Sequence, residues 1–236
     1  MTFSMKRFSA IVRKEMQDAG KNSQVLMMAA IPLALALIYG QMDSQNKEQL
    51  ANLTILAALI FTGGFVQAMV IAEEKEKHTL RVLMLSPASS LDVLFGKGVI
   101  TALLTIVVSV ANLFILDVVK GNIGVLILLI VVSAFLFIMI GTVIGLFSGT
   151  VAQTSLIGMP VLMVLFMGPM MLSFIKNETV KQIVEALPSY HISEAIVKLL
   201  NGKPITDMNG DFLNIGIWFA ITLIVSLIVY KKKQLD

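Results

Sequence analysis

The chain has no cysteine, only two histidines and few charges, and each shortage removes a class of function. Without thiols there is no disulfide and no thiolate metal site, and two histidines cannot build a histidine-rich one. Redox and zinc chemistry are therefore poor expectations. Charged residues fill only 14% of the 236 positions while 57% are hydrophobic, and a mean hydropathy of +0.88 does not describe a water-soluble globule. This is the composition of an integral membrane protein. The net charge of +3 is then read as a report of orientation, and nucleic acid is not an expected partner.

A hydrocarbon core of about 30 Å needs about 20 apolar residues per helix, and six runs qualify, roughly 25–39, 50–72, 99–119, 123–147, 155–175 and 212–230. The expected fold is an all-α polytopic membrane protein with six transmembrane helices. The first run is the shortest and carries Pro32. Lys6, Arg7, Arg13, Lys14 and Lys21 precede it without a convincing cleavage site, so it is expected to remain as a span. With the N-terminus inside, twelve Lys and Arg fall in inside segments and six in outside loops. Four of those six lie among Glu178, Glu185, Glu194, Asp207 and Asp211. Both termini and the charged insert that begins at Glu73 are therefore expected in the cytoplasm.

Within the spans almost no charge is present, and Gln67, Asn112 and Gln153 are the strongest polar candidates for a translocation path. Proton-coupled carriers and voltage sensors use intramembrane carboxylates or arginines, so both are disfavoured. A sodium-driven carrier using backbone and hydroxyl oxygens is not. No internal repeat is visible.

Four segments carry more information. Phe8, Ile11, Val12 and Met16 recur at helical spacing among basic residues, which predicts an amphipathic interface helix over 1–22. In the second segment, 73–97, burying Glu73, Glu74, Lys75, Glu76 and Lys77 in hydrocarbon would cost on the order of 10 kcal/mol, so they must lie outside it. Leu80, Leu83 and Met84 then line one face of a short helix that Ser86-Pro87 stops. Ser89-Ser90-Leu91-Asp92 has the form of a helix cap leading back to the membrane at Lys97. Periodicity leaves two readings open, a helix for a soluble partner's groove or a loop on the membrane surface. Third, residues 176–211 contain apolar positions at helical spacing broken by Pro188, which predicts two short helices lying in or dipping into the outer leaflet. Last, Gly141, Gly145 and Gly149 form a small-residue ladder suited to internal packing or to a dimer seam, and Gly158-x-Pro160 and Gly168-Pro169 predict a kinked or locally unwound fifth span.

Enzymatic readings fail on missing residues. An intramembrane serine protease needs a membrane-embedded histidine base, and His78 and His191 both lie outside the spans. A Glu-Glu-x-x-x-Arg metalloprotease pattern finds His78 at the arginine position. A phosphate-binding loop requires Gly-x-x-x-x-Gly-Lys-Ser/Thr, and neither Gly96-Lys97 nor Gly202-Lys203-Pro204 satisfies it.

Glu73-x-Glu-Lys-x-Thr79-Leu80-x-x-Leu83, then Ser86-Pro87 and Leu91-x-x-Leu94-x-Gly96-Lys97, resembles the signature of ABC-2 type permeases, the membrane subunits of ABC exporters. Leu187-Pro188-x-Tyr190-x-x-x-Glu194-Ala195-x-x-x-Leu199-Leu200-x-Gly202 extends the resemblance, which covers nearly the whole chain as a single transmembrane domain, 1–236. His78 stands where the family often has Gly, and Arg81 where it often has an acid. The resemblance implies a coupling helix docking on an ATPase through Glu73, Glu76, Thr79, Leu80, Arg81, Leu83, Met84 and Pro87. It implies an extracellular gate near Pro188, Tyr190 and Glu194. Two copies of a cytoplasmic ABC ATPase would use ATP and Mg, with no cofactor on this chain. A second permease chain, identical or similar, and the lipid bilayer complete the expected partners, in a plasma membrane read as bacterial. The expected function is export of a hydrophobic or amphiphilic substrate such as a lipid, peptide antibiotic or drug. The alternatives are a stand-alone six-span channel or sodium-coupled carrier, and a regulatory membrane anchor.

Overall fold

The structure, a computed structural model, describes residues 5–42, 46–78, 90–118 and 121–233. Among these residues it is all helical, in the order α1 (Met5–Ala19), α2 (Ser23–Gly40), α3 (Lys47–Glu76), α4 (Ser90–Ile115), α5 (Ile123–Phe147), α6 (Val151–Met171), α7 (Glu178–Glu185), α8 (Pro188–Leu200) and α9 (Asn209–Lys233). Six of them, α2 to α6 and α9, are long and apolar enough to cross a membrane. This agrees with the six runs read from the sequence. The first, at 18 residues, exceeds its apolar run because Asn22 caps it: the Asn22 side chain accepts hydrogen bonds from the amides of Gln24 and Val25.

The bundle is built around α3. Its apolar stretch is 89% buried against 17% for α6 and for α9, which makes α3 the axis and leaves α6 and α9 mostly facing outward. It packs on α2, α4, α5, α6 and α8. Its middle, Ala58–Phe65, is π-helical, so that the Val66 amide reaches back five residues to the Phe61 carbonyl. That segment contains Gly63 and Gly64, and it presses against α5 and α4.

Between helices in a bilayer the hydrophobic effect does not discriminate, so backbone proximity and packing decide. The closest approach lies between α3 and α5. A Cβ added at Gly141 would overlap the carbonyl oxygen of Gly64, and one at Gly145 would lie 2.6 Å from that of Ala68. Two glycines of the ladder thus seat α5 on the axis within one chain. Gly149 lies beyond the end of α5, beside the Gln153 side chain.

Helix α8 does not rest on the surface, whereas α7 is largely exposed and buries only Val184. Pro188 occupies the first turn of α8, where its missing N–H costs nothing, and Ile192, Ala195, Ile196 and Leu199 are buried where α8 meets α3, α6 and α9. At the α7–α8 corner the Ala186 carbonyl accepts a 2.8 Å hydrogen bond from the Trp218 indole. Trp218 lies nine residues into α9, so the corner reaches roughly 14 Å along that helix.

Replacing Gly141 with Ala is expected to destabilise the chain by about 2 kcal/mol, because the new methyl meets backbone that cannot yield. Gly216→Ala, at a position with nothing within 4 Å, should be neutral or slightly stabilising. Thermal unfolding of both variants in detergent checks the contrast.

Candidate coupling site

Four consecutive side chains at the end of α3 reach five other elements. Successive residues of a helix project about 100° apart, and because α3 is the axis of the bundle these four fan out towards its neighbours. The Glu73 carboxylate accepts from the Asn22 amide at 3.2 Å, at the cap of α2. Glu74 pairs with Lys14 of α1 at 3.3 Å and with Lys97 of α4. The Lys75 ammonium donates to the Leu146 carbonyl at 2.7 Å, in the last turn of α5. Glu76 accepts from the Val151 amide at 3.0 Å, at the first residue of α6. The last two contacts place a cation at a helix C-terminus and an anion at an N-terminus, each matching the helix dipole.

Burial separates the strong members from the weak ones. The Lys97 side chain is fully buried and that of Glu74 is 8% exposed, so neither charge is hydrated and each depends on its ion-paired surroundings. Lys77, by contrast, is exposed. Its ammonium is held above the ordinary lysine range chiefly by its hydrogen bond to Glu73 and by that carboxylate's charge.

Immediately beyond this run His78 takes a left-handed backbone, φ 56°, with its amide bonded to the Lys75 carbonyl at 3.0 Å. A glycine would sit here without strain. This explains physically why Gly suits the position at which the sequence has His78. Thr79, Leu80, Arg81, Leu83, Met84 and Pro87, expected to dock an ATPase, lie outside the described residues, whereas Glu73 and Glu76 are the clamps just described.

A cleft of about 740 Å³ lies among α1 to α4 at this end, lined by Lys14, Asn22, Glu73, Glu74, Lys97 and Thr101 among others. At its inner limit begins a buried polar seam. The Thr101 hydroxyl donates to Gln67 Oε1 at 2.9 Å, and Gln67 Nε2 donates to the Thr142 hydroxyl at 3.2 Å, joining α4, α3 and α5. Further along, Asn112 donates to the Thr54 carbonyl at 3.1 Å. Gln67 and Asn112 therefore share one closed interface between α3 and α4. Gln153 is not with them: it is exposed at the start of α6 and accepts from the Gly149 amide at 2.6 Å.

At the opposite end Asp211, 6% exposed, joins α8 to α9. Its carboxylate meets His191 Nδ1 at 2.7 Å and accepts from Lys198 at 2.8 Å. The hydrogen bond to Asp211 holds the Lys198 ammonium above the ordinary value of 10.5, so its contribution is complete below that value and fades only at strongly alkaline pH. Tyr190 stacks edge-on against His191 at 5.2 Å. Burial first, then the Glu194 charge, raises its phenol. Pro188, Tyr190 and Glu194 are thus brought onto one helix latched by Asp211. The latch itself was not read from the sequence, where Asp211 was only one acid among five. A single acid at the start of an apolar span is the signal that could have found it.

A bundle of six helices long and apolar enough to cross a membrane, tied at one end by a charged fan, defines a multi-pass membrane protein. The ABC-2 family transporter protein family matches residues 4–228, and the chain belongs to that family. It is a membrane subunit of an ABC transporter and not the ATP-binding component, and membership implies partnership with an ABC ATPase. No curated protein matches the chain closely enough to add a more specific assignment.

Lys97→Met is expected to cost about 3 kcal/mol by removing a buried countercharge, and Glu74→Gln added to it should recover part of that loss. A double-mutant cycle of thermal stability measures the coupling. Asp211→Asn should cost about 2 kcal/mol through weakened charge-assisted bonds and should increase protease access to residues 176–211, read by limited proteolysis. The wild-type protection should persist to pH values approaching 10.

Proposed function

We propose that the chain is the permease of an ATP-driven exporter, and that the Glu73–Glu76 run is its transmission element. Family membership supports the ATPase partnership. The observation that carries the transmission reading is the fan itself: one turn of α3, which precedes the segment 79–89 in the sequence, grips α1, α2, α4, α5 and α6. Displacement of that segment by nucleotide-driven closure of the ATPases would pull all five together. Such a mechanism needs docking contacts whose strength differs between nucleotide states.

In this proposal two copies of a separately encoded ATPase bind ATP and Mg and dock on Thr79, Leu80, Arg81, Leu83, Met84 and Pro87. This chain binds no cofactor. A second permease chain, identical or similar, completes the path, in a bacterial plasma membrane with both termini in the cytoplasm. The cargo is hydrophobic or amphiphilic, a lipid, peptide antibiotic or drug, because the described spans offer hydroxyl and amide groups at the α3–α4 seam and little charge to select an ion. Gln67 and Asn112 would line the path once α3 and α4 part. Gln153 would lie at its cytoplasmic mouth. At the outer end α8, with Pro188, Tyr190 and Glu194, forms the gate that the Asp211 latch holds.

Purification of the tagged chain from its native host in mild detergent should bring down a soluble subunit with a phosphate-binding loop in stoichiometric amount. Leu80→Asp and Leu83→Asp should abolish that association and uncouple ATP hydrolysis from transport while leaving membrane insertion intact. Transport unchanged in both variants would remove the docking assignment. Flux in vesicles without ATP or a partner would favour the stand-alone channel or carrier.

A further inference from the structure

About midway along α5, α6 and α9, a groove of about 520 Å³ runs between these helices and is closed on one side by the α7–α8 corner. Ile140, Pro160, Val164, Leu187, Pro188 and Trp218 line it. None of these side chains offers a free polar group, since the one N–H, on Trp218, is bonded to the Ala186 carbonyl. Such a space holds no ordered water, which needs two or more polar partners. The groove opens on the outward-facing sides of α6 and α9, where Val161 and Val164 are 45% and 59% exposed, and there the surrounding solvent is hydrocarbon. Interfaces between membrane helices are enriched in small residues that let backbones approach closely. The lining is instead Ile, Val, Leu, Pro and Trp, which leaves a channel shaped by branched and ring side chains. We propose that this groove is a binding site for one acyl chain of a resident bilayer lipid, seated between α6 and the α7–α8 corner with its methylenes against the Trp218 ring.

The occupant lies against the corner that leads into α8, so a filled groove supports the position of that helix from the membrane side. The inference goes beyond the proposed export function and does not depend on it, since it requires only the membrane location of the six spans.

Trp218 is the only tryptophan in the chain, which makes its fluorescence a reporter of the groove alone. The full-length chain is reconstituted without cargo into phosphatidylcholine vesicles whose acyl chains carry bromine at mid-chain, a quencher effective only at near contact. Strong quenching relative to unbrominated vesicles is expected. Val164→Phe and, independently, Val161→Phe place a ring in the groove and should lose most of that quenching. Leu156→Phe, on α6 at a position 79% exposed and outside the groove, should leave it unchanged. Each variant is first shown to be helical and monodisperse, and the two groove variants guard against a failure of either to fold. Quenching that survives both substitutions would mean that Trp218 senses only bulk lipid. Absent quenching in the wild type would mean that the groove is covered by a second copy or is collapsed. Either result overturns the proposal.

Discussion

Charge cannot be drawn into hydrocarbon without several kcal/mol per residue, and that single constraint organises this molecule. Glu73 to Lys77 follow directly on the most deeply buried helix of the bundle, so the end of α3 is pinned at the membrane boundary. The charges pinned there find partners on α1, α2, α4, α5 and α6. Lys97, itself fully buried, has the Glu74 carboxylate beside it as a countercharge. Remove the boundary condition and neither the depth of α3 nor the convergence of α1, α2, α4, α5 and α6 on its last turn has a cause.

The interior obeys the complementary rule. Helices in lipid gain little from burying apolar surface against one another, so contacts that depend on shape and hydrogen bonding hold the core. Gly141 and Gly145 bring α5 onto the backbone of α3. Gln67 ties together Thr101 and Thr142, each on a different helix. These groups lie in one continuous direction from the charged cleft to Asn112, so the α3–α4–α5 seam is both the most tightly specified part of the fold and the part whose opening would expose polar groups. The opposite end is held by a charged latch at Asp211, and the α7–α8 corner by its bond to Trp218.

Much of this was legible from residue patterns. The six spans, a helix ahead of the first of them and the paired helices around Pro188 follow from local hydropathy and from helix stop signals, which act within a few residues. The resemblance carried by Glu73, Thr79, Leu80 and Leu83 pointed to the family that residues 4–228 match. The ladder at Gly141 and Gly145 was readable as close packing, though not as packing against α3. Gln67, Asn112 and Gln153 could be picked out as polar positions. Only their bonds show that the first two share a closed interface while the third sits at a helix start.

What the sequence determined by itself was the class of the protein and the number of crossings, because both depend on the transfer of individual residues between water and hydrocarbon. What only the tertiary structure decided was which residues meet. The partners of Glu73, Lys14, Lys75 and Glu76 in the charged fan lie 51, 60, 71 and 75 residues away along the chain. Nothing in local propensity distinguishes one distant lysine, carbonyl or helix start from another, and the choice is made by the radial order of helices around α3. That order is set by where glycine lets two backbones touch.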